Sequence, residues 1–171
     1  MAKVLMIIAQ DGFRDEELLI PKDILESAGH SVKVASITRN KAKGMLGAEI
    51  IPELAVHEAN VDFFDAVVVV GGVGSPQLAQ HQEVVDIVRQ ANRKGKVVAA
   101  ICLAPVVLAK AGVLATKKAT VSRSQDSLKT FKENDVVYKD ELVVVDGNII
   151  TAVGPAAAEE FGKKIVEILK R

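Results

Sequence analysis

The stretch Val97–Leu114, VVAAICLAPVVLAKAGVL, governs how the rest of the chain is read. Its first five residues are uniformly apolar and of strand length, the mark of a strand covered on both faces. Cys102 follows without a spacer, and Ala104–Ala111 reads as a helix. A buried strand running straight into a helix is the repeating unit of a parallel α/β sheet. The unit recurs towards the N-terminus. Val4–Ala9 precedes a helix over Asp15–Ala28, with Leu18, Leu19, Ile24, Leu25 and Ala28 inward and Gly29 as its C-cap. Ser31–Ile37 alternates like a strand. Val67–Val70 ends abruptly at Gly71-Gly72, ahead of a helix over Val84–Ala91.

The remaining elements are shorter. Ala119–Val121, Val136–Tyr138, Leu142–Val145 and Ile149–Ala152 read as strands, the last pair turned by Asp146-Gly147-Asn148. Ser127–Phe131 and Glu159–Leu169 read as helices. Residues 38 to 66 are less regular: Gly44 and Gly47 suggest turns, and Ala48–Val56 holds one or two extended pieces interrupted by Pro52. The pattern predicts a three-layer α/β sandwich around a mostly parallel sheet, with an antiparallel edge from the later strands. No repeat or linker divides residues 1–171, so one domain is expected.

Composition narrows the function classes. Twenty-two basic residues balance 22 acidic ones, which leaves no electrostatic drive towards nucleic acid or anionic lipid. No Trp, one Tyr and five Phe argue against stacking platforms for single strands. The single cysteine excludes an internal disulfide and the multi-cysteine zinc sets, and no metal or cofactor is expected. No run approaches ~20 apolar residues, and nothing resembles a signal peptide, so the expected setting is cytoplasmic without a membrane partner.

Ligands of such sheets bind beyond the carboxyl ends of the strands. Three segments end there: Asp11–Glu17, Gly71–Pro76 and Cys102–Pro105. Cys102 lies in a tight strand-to-helix turn, where helix dipole and free backbone N–H groups favour a thiolate, so a depressed thiol pKa is expected. Glu16 and Glu17 open the first helix at the same end of the sheet. Pro21 has no N–H for the Glu17 carbonyl, so the helix should bend or loosen there. Gly71-Gly72 allows backbone N–H groups to approach a ligand. The sequence GGVG lacks the spacing of a dinucleotide fingerprint, which excludes a nicotinamide site.

The segments VLMIIAQDGFRDEELLIPKDILESAGHSV (4–32), DAVVVVGG (65–72), VVAAICLAPVVLAKAGVL (97–114), KKAT (117–120) and DGNIITAVGP (146–155) together resemble the ThiJ/PfpI superfamily. Its members include PfpI-type intracellular proteases, glyoxalase III, protein deglycases and stress chaperones. The combination of E-x-x-x-P at Glu17–Pro21 and A-I-C-x-x-P at Ala100–Pro105 carries the resemblance. It implies a flavodoxin-like fold with a cysteine nucleophile elbow. It implies Cys102 as nucleophile and Glu17 as the acid that hydrogen-bonds its sulfur. It also implies Gly72 and Leu103 as donors of an oxyanion hole, beside Gly71.

The departures matter as much. Leu103 stands where PfpI-type proteases carry a histidine, and Gln77 where they carry a glutamate reaching a neighbouring subunit. The histidine of the glyoxalase and deglycase branch aligns with Ser122 or Arg123. None of His30, His57 and His81 matches a catalytic position. Loss of an imidazole predicts a feeble enzyme, since general acid–base help is worth typically ~10²–10⁴-fold. The expected activity is weak action on small carbonyl compounds, or oxidant sensing, by a cytoplasmic stress-related protein. The alternatives are a PfpI-like peptidase and a chaperone-like homodimer. The resemblance implies at least a homodimer. Met45, Leu46, Ile50, Ile51 and Leu54 are its candidate contact, unless they pack on their own sheet edge.

Overall fold

Burial on both faces explains the central strands. In the computed structural model, which describes Met1–Arg171, β1 (Lys3–Ile7), β7 (Ala66–Val69) and β8 (Val97–Ile101) form the middle of one seven-stranded sheet. We number the strands β1 to β12 and the helices α1 to α5 in chain order. Alternate residues of these strands serve opposite layers. Leu5, Ile7, Val67, Val69, Val98 and Ala100 join one apolar cluster with residues of α2 (Gln82–Arg93) and α3 (Pro105–Lys110). Val4, Met6, Val68, Ala99 and Ile101 join the other with residues of α1 (Asp15–Ser27) and α5 (Ala158–Leu169). Fully burying such side chains contributes roughly 1.5–3 kcal/mol each. This is the three-layer α/β sandwich expected from the sequence.

The sheet adds β3 (Ser31–Ser36) and β6 (Leu54–Ala55) beyond β1, and β12 (Ile149–Ala152) and β11 (Val143–Asp146) beyond β8. All neighbours are parallel except β11 and β12, the antiparallel edge. Parallel pairing sends β1, β7 and β8 towards the same end, so the chain leaves all three beside one another. A second, small sheet was not evident in the sequence. It joins β2 (Asp11–Phe13), β4 (Ala42–Gly44) and β5 (Glu49–Ile50) at that end. A two-stranded ribbon of β9 (Lys118–Ala119) and β10 (Val137–Tyr138) flanks α4 (Gln125–Glu133).

One expectation for α1 needs correction. The inward stripe is Leu18, Pro21 and Leu25, at helical spacing, while Leu19 is 46 % exposed. α1 continues past Pro21, which is buried where the helix meets α5. A Cβ on Gly162 of α5 would lie 3.0 Å from Pro21 Cα and 3.1 Å from Ile24 Cδ1. The two helices therefore meet at backbone distance where Glu17 is carried.

Gly162→Val should force α1 and α5 apart. Overpacking costs roughly 1–3 kcal/mol, more than the helix propensity gained, so the urea midpoint should fall. An unchanged midpoint would mean the helices separate at no cost.

Candidate active site

The strands β1, β7 and β8 deliver three chain exits to one spot. Beyond β8, Cys102 takes a left-handed conformation, φ 65°. For a side chain with a Cβ this costs about 1–3 kcal/mol and needs support from all sides. That support is backbone. Cys102 N–H donates to Ala152 O at 2.9 Å, Ser122 N–H donates to Cys102 O at 2.7 Å, and Ala104 N–H donates to Ile101 O at 3.1 Å. Cys102 is half-buried.

Beyond β7, Gly71 lies between Glu17 and Cys102. A Cβ there would collide with Glu17 Oε1, the Ile101 carbonyl and Cys102 Cβ. Gly72 has φ 112°, and a Cβ on it would strike Arg14 N and the Gly12 carbonyl. Ser75 fixes this loop from inside, its N–H and hydroxyl donating to Gly72 O at 3.0 and 2.8 Å. Only glycine fits at either position, and the Gly72 amide is free to face the sulfur. The Leu103 amide and the Ser122 hydroxyl face it as well. Thus Cys102, Glu17, Gly71, Gly72 and Leu103 are brought together.

Ser122 rather than Arg123 occupies the place opposite the thiol. Arg123 is exposed, 3.7 Å from Asp140. Gln77 is exposed in a separate cleft with Asp11 and His81. His30 Nδ1 accepts the Ala2 N–H at 2.9 Å, His57 sits exposed in the 56–58 turn, and His81 lies 3.7 Å from Glu83. None of the three is among the groups facing the sulfur. No group of three or more His, Cys, Asp or Glu side chains is arranged to hold a metal ion. The largest groove, about 440 Å³ between α3 and α4, shares Leu103 as a wall but is not lined by Cys102.

Glu17 is completely buried, and neither carboxyl oxygen makes a well-formed hydrogen bond. Burial pushes its pKa up to about 7, although the nearby Cys102 thiol, the Arg14 guanidinium and the Gly71 amide pull it down. Cys102 differs from expectation. Burial, then the charge of an ionised Glu17, push the thiol up to about 11 against the amides of Gly72 and Leu103 and the Ser122 hydroxyl. The turn alone does not acidify it. With Glu17 protonated the opposing charge is gone, while the donors around the sulfur remain. A thiolate near neutral pH therefore requires the proton to reside on Glu17, and the two groups titrate as a pair.

Asp15 is not among the candidate residues that the sequence singles out. It is buried and accepts two backbone amides from the segment that follows β4.

Comparison with known proteins gives consistent matches. A family model described as the DJ-1/PfpI family matches residues 2–168. A protein of Pyrococcus abyssi named a deglycase is 35 % identical, over 96 % of this chain and 98 % of its own. A Caenorhabditis elegans protein named a glutathione-independent glyoxalase is 28 % identical, over 97 % and 88 %. The crystal structure of a ThiJ/PfpI domain protein from Brachyspira murdochii superposes with a TM-score of 0.93 at 32 % identity, covering 98 % of this chain and 96 % of that one.

An acid whose folded pKa lies above its unfolded one holds its proton more tightly when folded. Stability is then greatest below 4.5 and declines as pH rises through about 7. At ~1.4 kcal/mol per pKa unit, ionising Glu17 costs about 3 kcal/mol. Glu17→Gln should therefore exceed the wild type in urea stability at pH 8 and converge with it near pH 4.5. Thiolate absorbance at 240 nm in the same variant should rise in one step below the upper wild-type step, because no carboxylate charge opposes it. A pH-independent stability difference would deny Glu17 its perturbed ionisation.

Proposed function

Because this chain belongs to the DJ-1/PfpI family, we propose that Cys102 is a nucleophile acting weakly on small aldehydes of the 2-oxoaldehyde type. The observation that carries this reading is the Cys102 turn. The thiol of a strained, half-buried residue faces two backbone amides and a hydroxyl, with a buried carboxyl of pKa about 7 beside it. The thiol proton passes to Glu17, and the sulfur attacks the aldehyde carbon. The carbonyl π pair moves to oxygen, where the Gly72 and Leu103 amides stabilise the developing charge. Glu17 returns the proton to that oxygen, giving a neutral hemithioacetal. With methylglyoxal, Glu17 would next take the C1 proton to give an enediol and return it to C2, while the hydroxyl proton passes from the C1 oxygen to the C2 oxygen. This leaves a lactyl thioester that water cleaves to lactate and the free thiol.

The names of the Pyrococcus and Caenorhabditis relatives favour carbonyl chemistry of the deglycase or glyoxalase kind. Oxidation of the same thiolate needs no base and remains compatible with this site. Peptide hydrolysis fits poorly, since a leaving amine must be protonated and Leu103 and Gln77 replace the residues that would assist.

Purified protein should convert methylglyoxal to lactate slowly, below a histidine-assisted rate by ~10²–10⁴-fold. Cys102→Ser should abolish the conversion, and neither protein should cleave casein. Wild-type turnover equal to that of Cys102→Ser would sink the reading. Robust Cys102-dependent casein cleavage would replace it with the peptidase.

A homodimer is the second part of the proposal. Met45, Leu46 and Ile51 are exposed, as are Leu19, Ile20 and Val73, the last of which contacts Met45. Ile50 and Leu54 pack on their own domain and drop out of the patch. An apolar face beside a neutral chain's candidate site suits a second copy. Sedimentation equilibrium should show dimer at tens of micromolar, and Ile51→Asp should yield folded monomer. Monomer in the wild type would reject the dimer, and an intact variant dimer would place the contact elsewhere.

A further inference from the structure

The hairpin of β4 and β5 takes no part in the proposed chemistry, yet a buried charge fastens it to the site. Asp15 is 7 % exposed. Its Oδ1 accepts the Leu46 N–H at 3.0 Å and its Oδ2 accepts the Ala48 N–H at 2.8 Å. The carboxylate also fills the space that a Cβ on Gly44 would need. A buried carboxylate is tolerated only when hydrogen-bonded, and charge-assisted bonds to amides are among the stronger ones. Asp15 and the 44–48 turn therefore hold each other.

From that turn, contacts lead inward to the sulfur. β4 pairs with β2, Asp11 opposite Lys43 and Phe13 opposite Gly44. Met45 N–H donates to Phe13 O at 2.8 Å, and Val73 N–H donates to Met45 Sδ at 3.4 Å. On its other side β2 bears on the glycine loop. Gly74 N–H donates to Gly12 O at 3.0 Å, and Arg14 N–H donates to Gly71 O at 2.9 Å. Gly72 packs so closely on Gly12–Arg14 that no side chain fits between them.

We propose that Asp15 is a positioning residue for the Cys102 site: by latching the 44–48 turn it braces β2, and through β2 it holds the Gly71–Gly74 loop so that the Gly72 amide points at the sulfur. The proposal rests on Cys102 being the reactive group, but not on which substrate it meets. Asp15 itself touches neither thiol nor substrate.

Asp15→Asn presents an amide N–H to one of the two backbone donors and removes the charge. Its expected effect is slower alkylation of Cys102 by iodoacetamide at pH 8 and a 240 nm thiolate titration moved to higher pH. The kcat on methylglyoxal should fall by roughly ten- to a hundredfold, with KM little changed, as for a misplaced catalytic group. Amide hydrogen exchange should accelerate together at Leu46, Ala48, Arg14 and Gly74 and stay unchanged at Ile150 and Ala152. A merely structural loss would accelerate all of them. The proposal fails if alkylation and titration are unchanged once Leu46 and Ala48 have lost protection. Should Asp15→Asn not fold, replacing Met45–Ala48 by Asn-Gly removes the two donors instead. The same slowing of alkylation is expected there, and wild-type reactivity overturns the proposal. A wild type inert to methylglyoxal would remove the proposed substrate, while alkylation would still decide the latch.

Discussion

The left-handed backbone at Cys102 is the constraint on which the rest of the arrangement depends. A residue with a Cβ stays at φ 65° only where its neighbours leave no alternative. Here the carbonyl of Ala152 holds its amide, the amide of Ser122 holds its carbonyl, and Gly71 leaves the volume in which its Cβ sits. These three supports come from β12, from the segment after β9, and from the exit of β7. A single strained residue thus ties together strands far apart in the chain. The strain aims the thiol outward from the end of β8, where the first turn of α1 and the glycine loop can flank it.

Glu17 adds an electrostatic constraint to the steric one. A buried carboxylate whose oxygens make no well-formed hydrogen bond is unfavourable, and its pKa of about 7 records that cost. The sulfur faces two amides and a hydroxyl, yet burial and the Glu17 charge still hold the thiol proton on until about 11. The pair therefore carries its first negative charge on Glu17, and a thiolate forms beside it only when the thiol proton passes to the carboxyl. The close approach of α5 at Gly162 keeps α1, and with it Glu17, pressed against the sheet.

The sequence reveals the large elements because burial on both faces writes itself as apolar runs. β8 and β12 have the bounds that periodicity predicts, and Cys102 and Gly71-Gly72 stand out because they end such runs. Glu17 separates from Glu16 only through the register of Pro21. The small sheet stayed hidden because DGF and AKG are too short to carry a pattern and pair through backbone alone. Leu19 was misplaced because an apolar residue beside the true stripe looks inward when the partner surface is unknown. The direction of the Cys102 shift was also out of reach. It depends on burial and on the charge of a carboxyl 85 residues earlier in the chain, and neither is visible from a helix N-terminus.

The bond from Cys102 N–H to Ala152 O has a consequence for how the molecule is made. In chain order β12 comes after β8, β9, β10 and β11. During synthesis, about fifty residues separate the appearance of the cysteine from that of the carbonyl that completes its turn, about five seconds at ~10 residues per second. Throughout that interval the thiol belongs to an open chain, with ordinary acidity and no burial to shield it. The backbone support that holds the thiol in its strained turn therefore arrives late, when β12 pairs with β8.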